Sequence, residues 1–116
     1  FQPEILIFGG EPVVTVTGNG KGGRNQHLAL LMAKKIAGIK GVTFLSIASD
    51  GTDGPTDAAG GLVDGTTWQS LQQCRIDPQT ALRNNDSYHA LQAVGNLVIN
   101  GPTGTNVNDL MLVLMN

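Results

Sequence analysis

The sequence predicts an α/β domain in which helices pack on a mixed β-sheet. Short apolar, β-branched runs alternate with helical patterns along the chain, and loops rich in Gly, Asn and Asp separate them. Such alternation is typical of a sheet covered by helices. Because the first two expected strands are joined by only a few residues, they favour an antiparallel pair within that mixed sheet.

Two strands are expected before the first helix. Residues 5–8 form an apolar run that ends at Gly9 and Gly10. Residues 13–17 are β-branched throughout, so they predict a second strand, antiparallel to the first. Residues 18–23 contain four glycines and must then form a loop.

The first helix is predicted by apolar residues at helical spacing, namely Leu28, Leu31, Met32 and Ile36. Asn25 is the expected N-cap, and Gly38 is placed to end the helix. Lys34 and Lys35 suit the negative end of its dipole.

The rest of the chain predicts shorter elements. Val42–Ala48 is expected to be a buried strand that leads into the loop 49–57. Asp77 followed by Pro78 is typical of a helix start. We expect helices at residues 66–74, 77–83 and 85–94, and strands at 97–99 and 110–115.

Composition excludes several classes of protein. A formal charge of −2 argues against a general nucleic-acid binder. One cysteine excludes a disulfide framework and a cysteine-based zinc site, and it suits the reducing cytoplasm. No apolar run approaches the ~20 residues of a membrane helix, and no signal-peptide pattern opens the chain. Because the first residue is Phe1 and not Met, we expect a fragment of a longer protein.

The glycine-rich loop 18–23 is the most informative segment. Its backbone N–H groups and the N-terminus of the following helix can bind an anion, with Lys21 and Arg24 adding positive charge. It is not a Walker A loop. Gly18, Gly20 and Gly23 match G-x-G-x-x-G, so a dinucleotide site is one alternative. A plain glycine-rich turn with solvated cations is the other.

Two further polar loops follow expected strands. Asp50 lies just beyond a buried strand, where its carboxylate could bind Mg²⁺ or take a proton from a hydroxyl group. Asp53 is either a ligand or a turn and cap residue. In the loop 101–109, the side chains of Thr103 and Asn106 could bind a polar ligand or their own backbone. Together the three loops predict one shared polar site.

Five motifs in this order resemble a known family. They are Gly-Gly-Glu at 9–11, GKGGRNQ at 20–26, DGTDGPTDAAG at 50–60, NDSY at 85–88 and GPTGTNVND at 101–109. This string resembles the C-terminal MOFRL domain of the class II glycerate 2-kinases, whose members are often labelled hydroxypyruvate reductases. The likeness covers nearly the whole chain.

The resemblance implies that residues 1–116 are the smaller, C-terminal domain of a two-domain α/β enzyme. An upstream Rossmann-like domain, absent here, would form the other wall of the active-site cleft. The implied activity is ATP-dependent phosphorylation of D-glycerate to 2-phosphoglycerate with Mg²⁺, in the cytoplasm. The family's functional arginine and loop aspartate fall on Arg24 and Asp50.

The resemblance also predicts which residues hold the remaining polar groups of the substrates. Arg24 would hold the glycerate carboxylate or the γ-phosphate, and Asp50 would orient the 2-hydroxyl or bind Mg²⁺. The other expected substrate- or phosphate-binding residues are Lys21, Gly22, Gly23, Asn25, Asp53, Thr103 and Asn106.

Two other functions stay open on the sequence. One is NAD(P)H-dependent reduction of hydroxypyruvate, supported by the G-x-G-x-x-G spacing. The other is a non-catalytic module that binds a ligand or regulates a partner domain. We expect the isolated chain to be inactive, and apolar surface that would face the upstream domain to favour a homo-oligomer.

Overall fold

The computed structural model describes residues 3–116. The elements are β1 (Glu4–Gly10), α1 (Arg24–Lys35), β2 (Val42–Ala48), β3 (Gly60–Asp64), α2 (Thr67–Gln73), α3 (Pro78–Arg83), α4 (Ser87–Ala93), β4 (Leu97–Val98) and β5 (Asp109–Met115). The predicted α/β class is confirmed, as are the predicted helices, whose ends differ by a few residues.

The five strands form one sheet in the order β1-β5-β2-β3-β4. All four neighbouring pairs are antiparallel, where the sequence predicted a mixed sheet. β1 and β2, which α1 connects, do run in the same direction. They are not neighbours, however, because β5 lies between them and pairs antiparallel with both.

The prediction of a strand at residues 13–17 was wrong. β1 pairs with β5, from the other end of the chain, and residues 11–17 follow it as an irregular segment outside the sheet. The backbone of this segment bonds instead to a side chain: Thr17 N–H donates to Asn85 Oδ1 (2.6 Å), and Asn85 Nδ2 donates to the Thr15 carbonyl (3.2 Å). The β-branched pattern therefore did not produce a strand here, because the polar backbone groups of Thr15 and Thr17 bond to Asn85.

The sequence did not predict β3, which begins with Gly60 and Gly61. Glycine disfavours strands in general, but here a side chain would not fit. A Cβ on Gly61 would lie 2.8 Å from both Ala29 Cβ in α1 and Leu91 Cδ1 in α4. Gly61 therefore lets the helices pack closely onto the sheet. Gly60 has a different neighbour, because a Cβ on it would overlap the Ser46 carbonyl oxygen in β2.

The helix ends follow ordinary capping rules, with one correction. Asp77 caps α3 and Pro78 takes its first position, as predicted. The N-cap of α1 is Gly23 and not Asn25, which lies in the first turn of the helix and is fully buried. Gly38 follows the end of α1 with φ +80°, which glycine adopts without strain.

The core lies between the helices and one face of the sheet, where Leu30, Leu71 and Leu91 are fully buried. The other face is uncovered. Directly opposed positions on four strands place a row of aliphatic side chains there, namely Ile7, Leu112, Leu45 and Leu62. Ile7 is 68% exposed and Leu62 44%, so this open sheet face offers apolar area to a partner. Within residues 3–116, no helix combines the length and the apolar character required to cross a membrane.

Candidate functional site

The N-terminus of α1 is held by a carboxylate from a distant loop. Asp53, only 2% exposed, accepts through Oδ1 from the backbone and side chain of Asn25 (3.0 and 3.1 Å). Its Oδ2 accepts from the backbone N–H and Nε2 of Gln26, both at 2.9 Å. Gly23 has no side chain with which to cap the helix, so Asp53 satisfies these helix-terminal donors instead.

Asn25 continues this network toward the sheet, because its Oδ1 accepts from Ser46 Oγ (2.7 Å). Asn25, Asp53 and Ser46 are all buried, and their polar groups bond to one another. Asn25 and Asp53 were expected to contact substrate. The structure places them behind the first turn of α1, where they fix the direction of the helix.

Glycines allow the loop before α1 to lie against the Asp53 loop. A Cβ on Gly23 would overlap the Asp53 side chain, and one on Gly54 would lie 2.6 Å from the Gly22 carbonyl oxygen. Within residues 3–116, no acceptor bonds to the backbone N–H groups of Gly22, Gly23 or Arg24. These three donors remain available to an anion.

Earlier donors of the glycine-rich loop are already engaged by the segment before α4. Gly18 N–H donates to Asn85 Oδ1 (3.0 Å), and Lys21 N–H donates to Asp86 Oδ1 (2.9 Å). The N–H groups between them bond to the side chain and carbonyl of Asn84. Residues 18–21 therefore form a structural contact, and the part of the loop open to an anion is reduced to residues 22–24.

Lys21 points toward α4. Its Nζ lies 4.3 Å from the centre of the Tyr88 ring, a cation–π contact. The Tyr88 hydroxyl donates to Asp57 Oδ1 (2.8 Å), which raises the pKa of Tyr88 because this bond favours the protonated phenol.

Arg24, the first residue of α1, makes two ion pairs of different character. Its Nε and Nη2 donate to Asp109 Oδ2 (2.5 Å) and Oδ1 (3.1 Å), and Asp109 is 1% exposed. Its Nη1 lies 3.4 Å from Glu11 Oε1, which belongs to a side chain 63% exposed. The hydrogen bonds to Asp109 raise the pKa of the guanidinium, so Arg24 keeps its charge.

An open cavity of about 510 Å³ lies beside Arg24, and we call it the arginine cavity. Gly23 and Arg24 line it on the helix side, and residues 11–14 and Gly54 line the rest. The Arg24 side chain is 38% exposed. Cationic and N–H donors thus meet at the opening of a concave surface, which suits an anionic small molecule.

Asp50 lies just beyond the C-terminal end of β2, two residues after Ala48. Ala48 pairs with Asp109, the residue that holds Arg24. Asp50 Oδ1 accepts from Thr52 N–H (3.0 Å), which closes an Asx turn and leaves Oδ2 uncommitted among the described residues. Asp50 is half-buried.

The loop 101–109 packs against the Asp50 loop. Thr103 N–H donates to the Asp50 carbonyl (3.2 Å), and Thr103 Oγ1 donates to the Ser49 carbonyl (2.6 Å). Asn106 Oδ1 accepts from Asn108 N–H (3.1 Å). These polar groups join the two loops and shape their own backbone, so the structure brings the second and third polar loops together next to Asp109.

The described range, residues 3–116, contains no group of three or more His, Cys, Asp or Glu side chains arranged to hold a metal ion. The same range also lacks the strand that a dinucleotide-binding G-x-G-x-x-G requires before its first glycine, since residues 11–17 lie outside the sheet. The spacing of Gly18, Gly20 and Gly23 therefore lacks the strand–loop–helix context of that motif.

Sequence reasoning missed Asp109 and Glu11 as partners of Arg24. One signal could have found Asp109: it opens a markedly apolar strand, where a buried carboxylate needs a cation. Glu11 carried no such signal, because it follows a strand and is exposed.

Replacing Asn85 with Ala should release residues 11–17 from their contact with the rest of the domain. The change removes the acceptor for the Thr17 and Gly18 amides and the donor to the Thr15 carbonyl. We expect faster hydrogen exchange at these two amides and a stability loss of about 1 kcal/mol, since the bonds are largely exposed. Asn100→Ala, in an exposed loop, is the matched control. Unchanged exchange at Thr17 in Asn85→Ala would show that another contact holds the segment.

The stability of the domain should depend on pH through His27. Burial lowers the pKa of His27 below its ordinary value of 6.5, and its Nδ1 has no partner within residues 3–116. Below about pH 6.5 the unfolded chain takes up a proton that the folded chain does not, so stability falls as pH falls. Urea unfolding at pH 7.5 and 5.5 should show this loss in the wild type and a smaller one in His27→Gln. An equal loss in both proteins would exclude His27 as its source.

Taken together, the fold and the site define an α/β domain with an arginine-lined cavity at the start of a helix. The chain belongs to the MOFRL family, whose sequence profile matches residues 4–109. It is similar to the D-glycerate 2-kinase of Thermotoga maritima, with 60% identity over 98% of this chain and 27% of the relative. The glycerate 2-kinase of Pyrococcus horikoshii is 48% identical over 97% of this chain and 26% of the relative.

The crystal structure of the Thermotoga maritima glycerate kinase superposes with a TM-score of 0.95 over 97% of this chain and 27% of that structure. A structure of a Pyrococcus horikoshii protein superposes with a TM-score of 0.91 at 48% identity. The chain thus spans about a quarter of the length of these relatives.

Proposed function

We propose that residues 1–116 form the C-terminal domain of a longer polypeptide that transfers the γ-phosphoryl group of ATP to the 2-hydroxyl of D-glycerate. One observation carries the proposal: Arg24, held by buried Asp109, lines an open cavity together with Gly23, whose backbone N–H has no acceptor within residues 3–116. The glycerate 2-kinases to which the chain is similar support the choice of substrate.

The site suits phosphoryl transfer, because this reaction depends on positioning and on neutralising negative charge. The Nη1–Nη2 edge of Arg24, on displacement of Glu11, would hold the glycerate carboxylate or the transferring phosphoryl group. The N–H groups of Gly22 and Gly23 would hold further negative charge. With half of the cleft supplied by another domain, we expect the isolated chain to be inactive.

Asp50 is the residue of this chain that suits Mg²⁺ or the glycerate 2-hydroxyl. Its Oδ2 accepts no hydrogen bond within residues 3–116. Asp50 lies near the end of β2, where Ala48 pairs with Asp109. Mg²⁺ in kinases is commonly held by one or two carboxylates together with substrate phosphates, so one carboxylate from this chain is compatible with such a site. When bound, the ion would neutralise charge on the phosphates.

The other predicted site residues divide into two groups. Lys21 lies on the exposed surface over Tyr88, from which its ammonium could attract anions. Asn25 and Asp53 would act indirectly, by fixing the start of α1. Thr103 and Asn106 would hold the loop that supports Asp50.

The partner of this domain would be an upstream part of the same polypeptide. The relatives are about four times longer than the chain, and the open sheet face offers apolar area for such a contact. A second copy of the protein is the alternative occupant. The single cysteine, which is unpaired, suits a cytoplasmic location.

The proposal is tested with a full-length polypeptide that contains this chain. We expect ADP release that depends on D-glycerate and Mg²⁺, with ATP alone as the blank. Consumption of NADH with hydroxypyruvate, without ADP release, would favour the reductase instead. Activity that survives deletion of residues 1–116 would favour the regulatory module.

A further inference from the structure

The position of Asp109 is fixed by the sheet and by burial. It is the first residue of β5 and pairs with Gly10 in β1 on one side and Ala48 in β2 on the other. Its side chain is 1% exposed. A buried carboxylate is costly without a cation, and within residues 3–116 the cation that pairs with it is Arg24.

The two carboxylates beside Arg24 occupy different edges of the guanidinium. Asp109 takes Nε and one hydrogen of Nη2 through two nearly parallel bonds, the geometry that best fixes the plane of an arginine. Glu11, which approaches Nη1 from an exposed segment, has no comparable support. An incoming anion can therefore replace Glu11 but not Asp109.

We propose that Asp109 is a positioning residue: it fixes the Arg24 guanidinium so that the Nη1–Nη2 edge faces the arginine cavity and receives the carboxylate or phosphoryl oxygens of a substrate. This inference rests on the proposed function for the identity of that substrate. Without Asp109, the long Arg24 side chain would sample several rotamers and pair with Glu11. Misplacement of a substrate-binding group by about 1 Å can lower the rate about 10²-fold.

The kinetic test uses the full-length protein and a double-mutant cycle. We expect Asp109→Asn to lower kcat/KM for D-glycerate about 10²-fold in the wild-type background. In the Arg24→Ala background the same change should cost less than about twofold, because the residue that Asp109 positions is gone. Asp64→Asn, which removes a carboxylate from a turn at the end of β3, is the matched control and should leave kcat/KM unchanged. Equal losses in both backgrounds would overturn the proposal.

Asp109→Glu is a second variant that tests the same proposal if Asp109→Asn does not fold. It keeps the charge but moves the carboxylate by one methylene group, so we expect a folded protein with a reduced kcat/KM. A wild-type kcat/KM in Asp109→Glu would contradict the proposed positioning.

A second readout needs no turnover, so it separates this proposal from the proposed function. In protein labelled with ¹⁵Nε-arginine, the Arg24 resonance is the one that disappears in Arg24→Lys. We expect its Nε–H to exchange slowly with solvent, to lose that protection in Asp109→Asn and Asp109→Glu, and to keep it in Glu11→Gln. Protection that survives both Asp109 changes would overturn the proposal even in a protein without kinase activity. A full-length wild type that releases no ADP would contradict the proposed function alone.

Discussion

Arg24→Ala in the full-length protein should lower kcat/KM for D-glycerate by about a thousandfold or more. An arginine that stabilises a transferring phosphoryl group contributes about 10³–10⁵ to kcat in related chemistry, and Arg24 has the required charge and an edge from which an anion can displace the exposed Glu11. The change leaves the buried Asp109 carboxylate without its cation, so the stability of the domain should fall. The helix start should still form, because the network of Asp53 holds it independently. Steady-state kinetics measures the loss, and circular dichroism checks the fold.

Arg24→Lys is the matched control for charge. Lysine keeps the positive charge, but its ammonium group cannot bond to both oxygens of Asp109 and at the same time offer two further donors to a substrate. We therefore expect an intermediate loss of kcat/KM. Activity near that of the wild type in Arg24→Ala would remove this residue from the site and leave the arginine cavity without a function.

Asp53→Ala should strongly destabilise this domain. It removes the acceptor of four buried hydrogen bonds and leaves the donors of Asn25 and Gln26 without partners. We expect a loss of about 3–5 kcal/mol, a large fraction of the stability of a domain of this size. Urea unfolding followed by the fluorescence of Trp68, the one tryptophan of the chain, measures it.

Asp53→Asn removes the negative charge but keeps the size of the side chain. The amide retains one acceptor oxygen but turns its NH₂ group toward the N–H donors of α1. We therefore expect a loss of stability smaller than that of Asp53→Ala. Asp57→Ala, in the same loop, is the control: it removes one contact, with Tyr88, and should cost about 1 kcal/mol. Equal effects of Asp53→Ala and Asp57→Ala would refute the role given to Asp53.

Local sequence patterns predicted most of the fold. The helix at Arg24–Lys35 and the strand at Val42–Ala48 follow from spacing and β-branched content, and Asp77 with Pro78 marked a helix start correctly. The errors have one cause, which is that the decisive partner lies far along the chain. Gly60 and Gly61 form a strand because they pair with Ile47 and Ser46 of β2. Thr15 and Thr17 bond instead to Asn85 and not to a strand.

For the candidate site, the sequence supplied candidate residues whose roles stay predictions. Arg24 and Asp50 were identified from loop position and from the family resemblance, and both lie near the end of β2, where the loops meet. The sequence could not show that Asp53 lies beneath α1 or that Asp109 holds Arg24, since 28 and 85 residues separate these pairs. Nor could it show that most N–H groups of the glycine-rich loop already bond to residues 84–86.

The most direct test of the account is phosphorus NMR of the full-length protein incubated with D-glycerate, ATP and Mg²⁺. We expect a growing signal of 2-phosphoglycerate with an equal amount of ADP in the wild type, and growth of both signals about a thousandfold slower in Arg24→Ala. Unchanged ATP in the wild type, with NADH consumed when hydroxypyruvate is supplied, would contradict the proposed kinase activity.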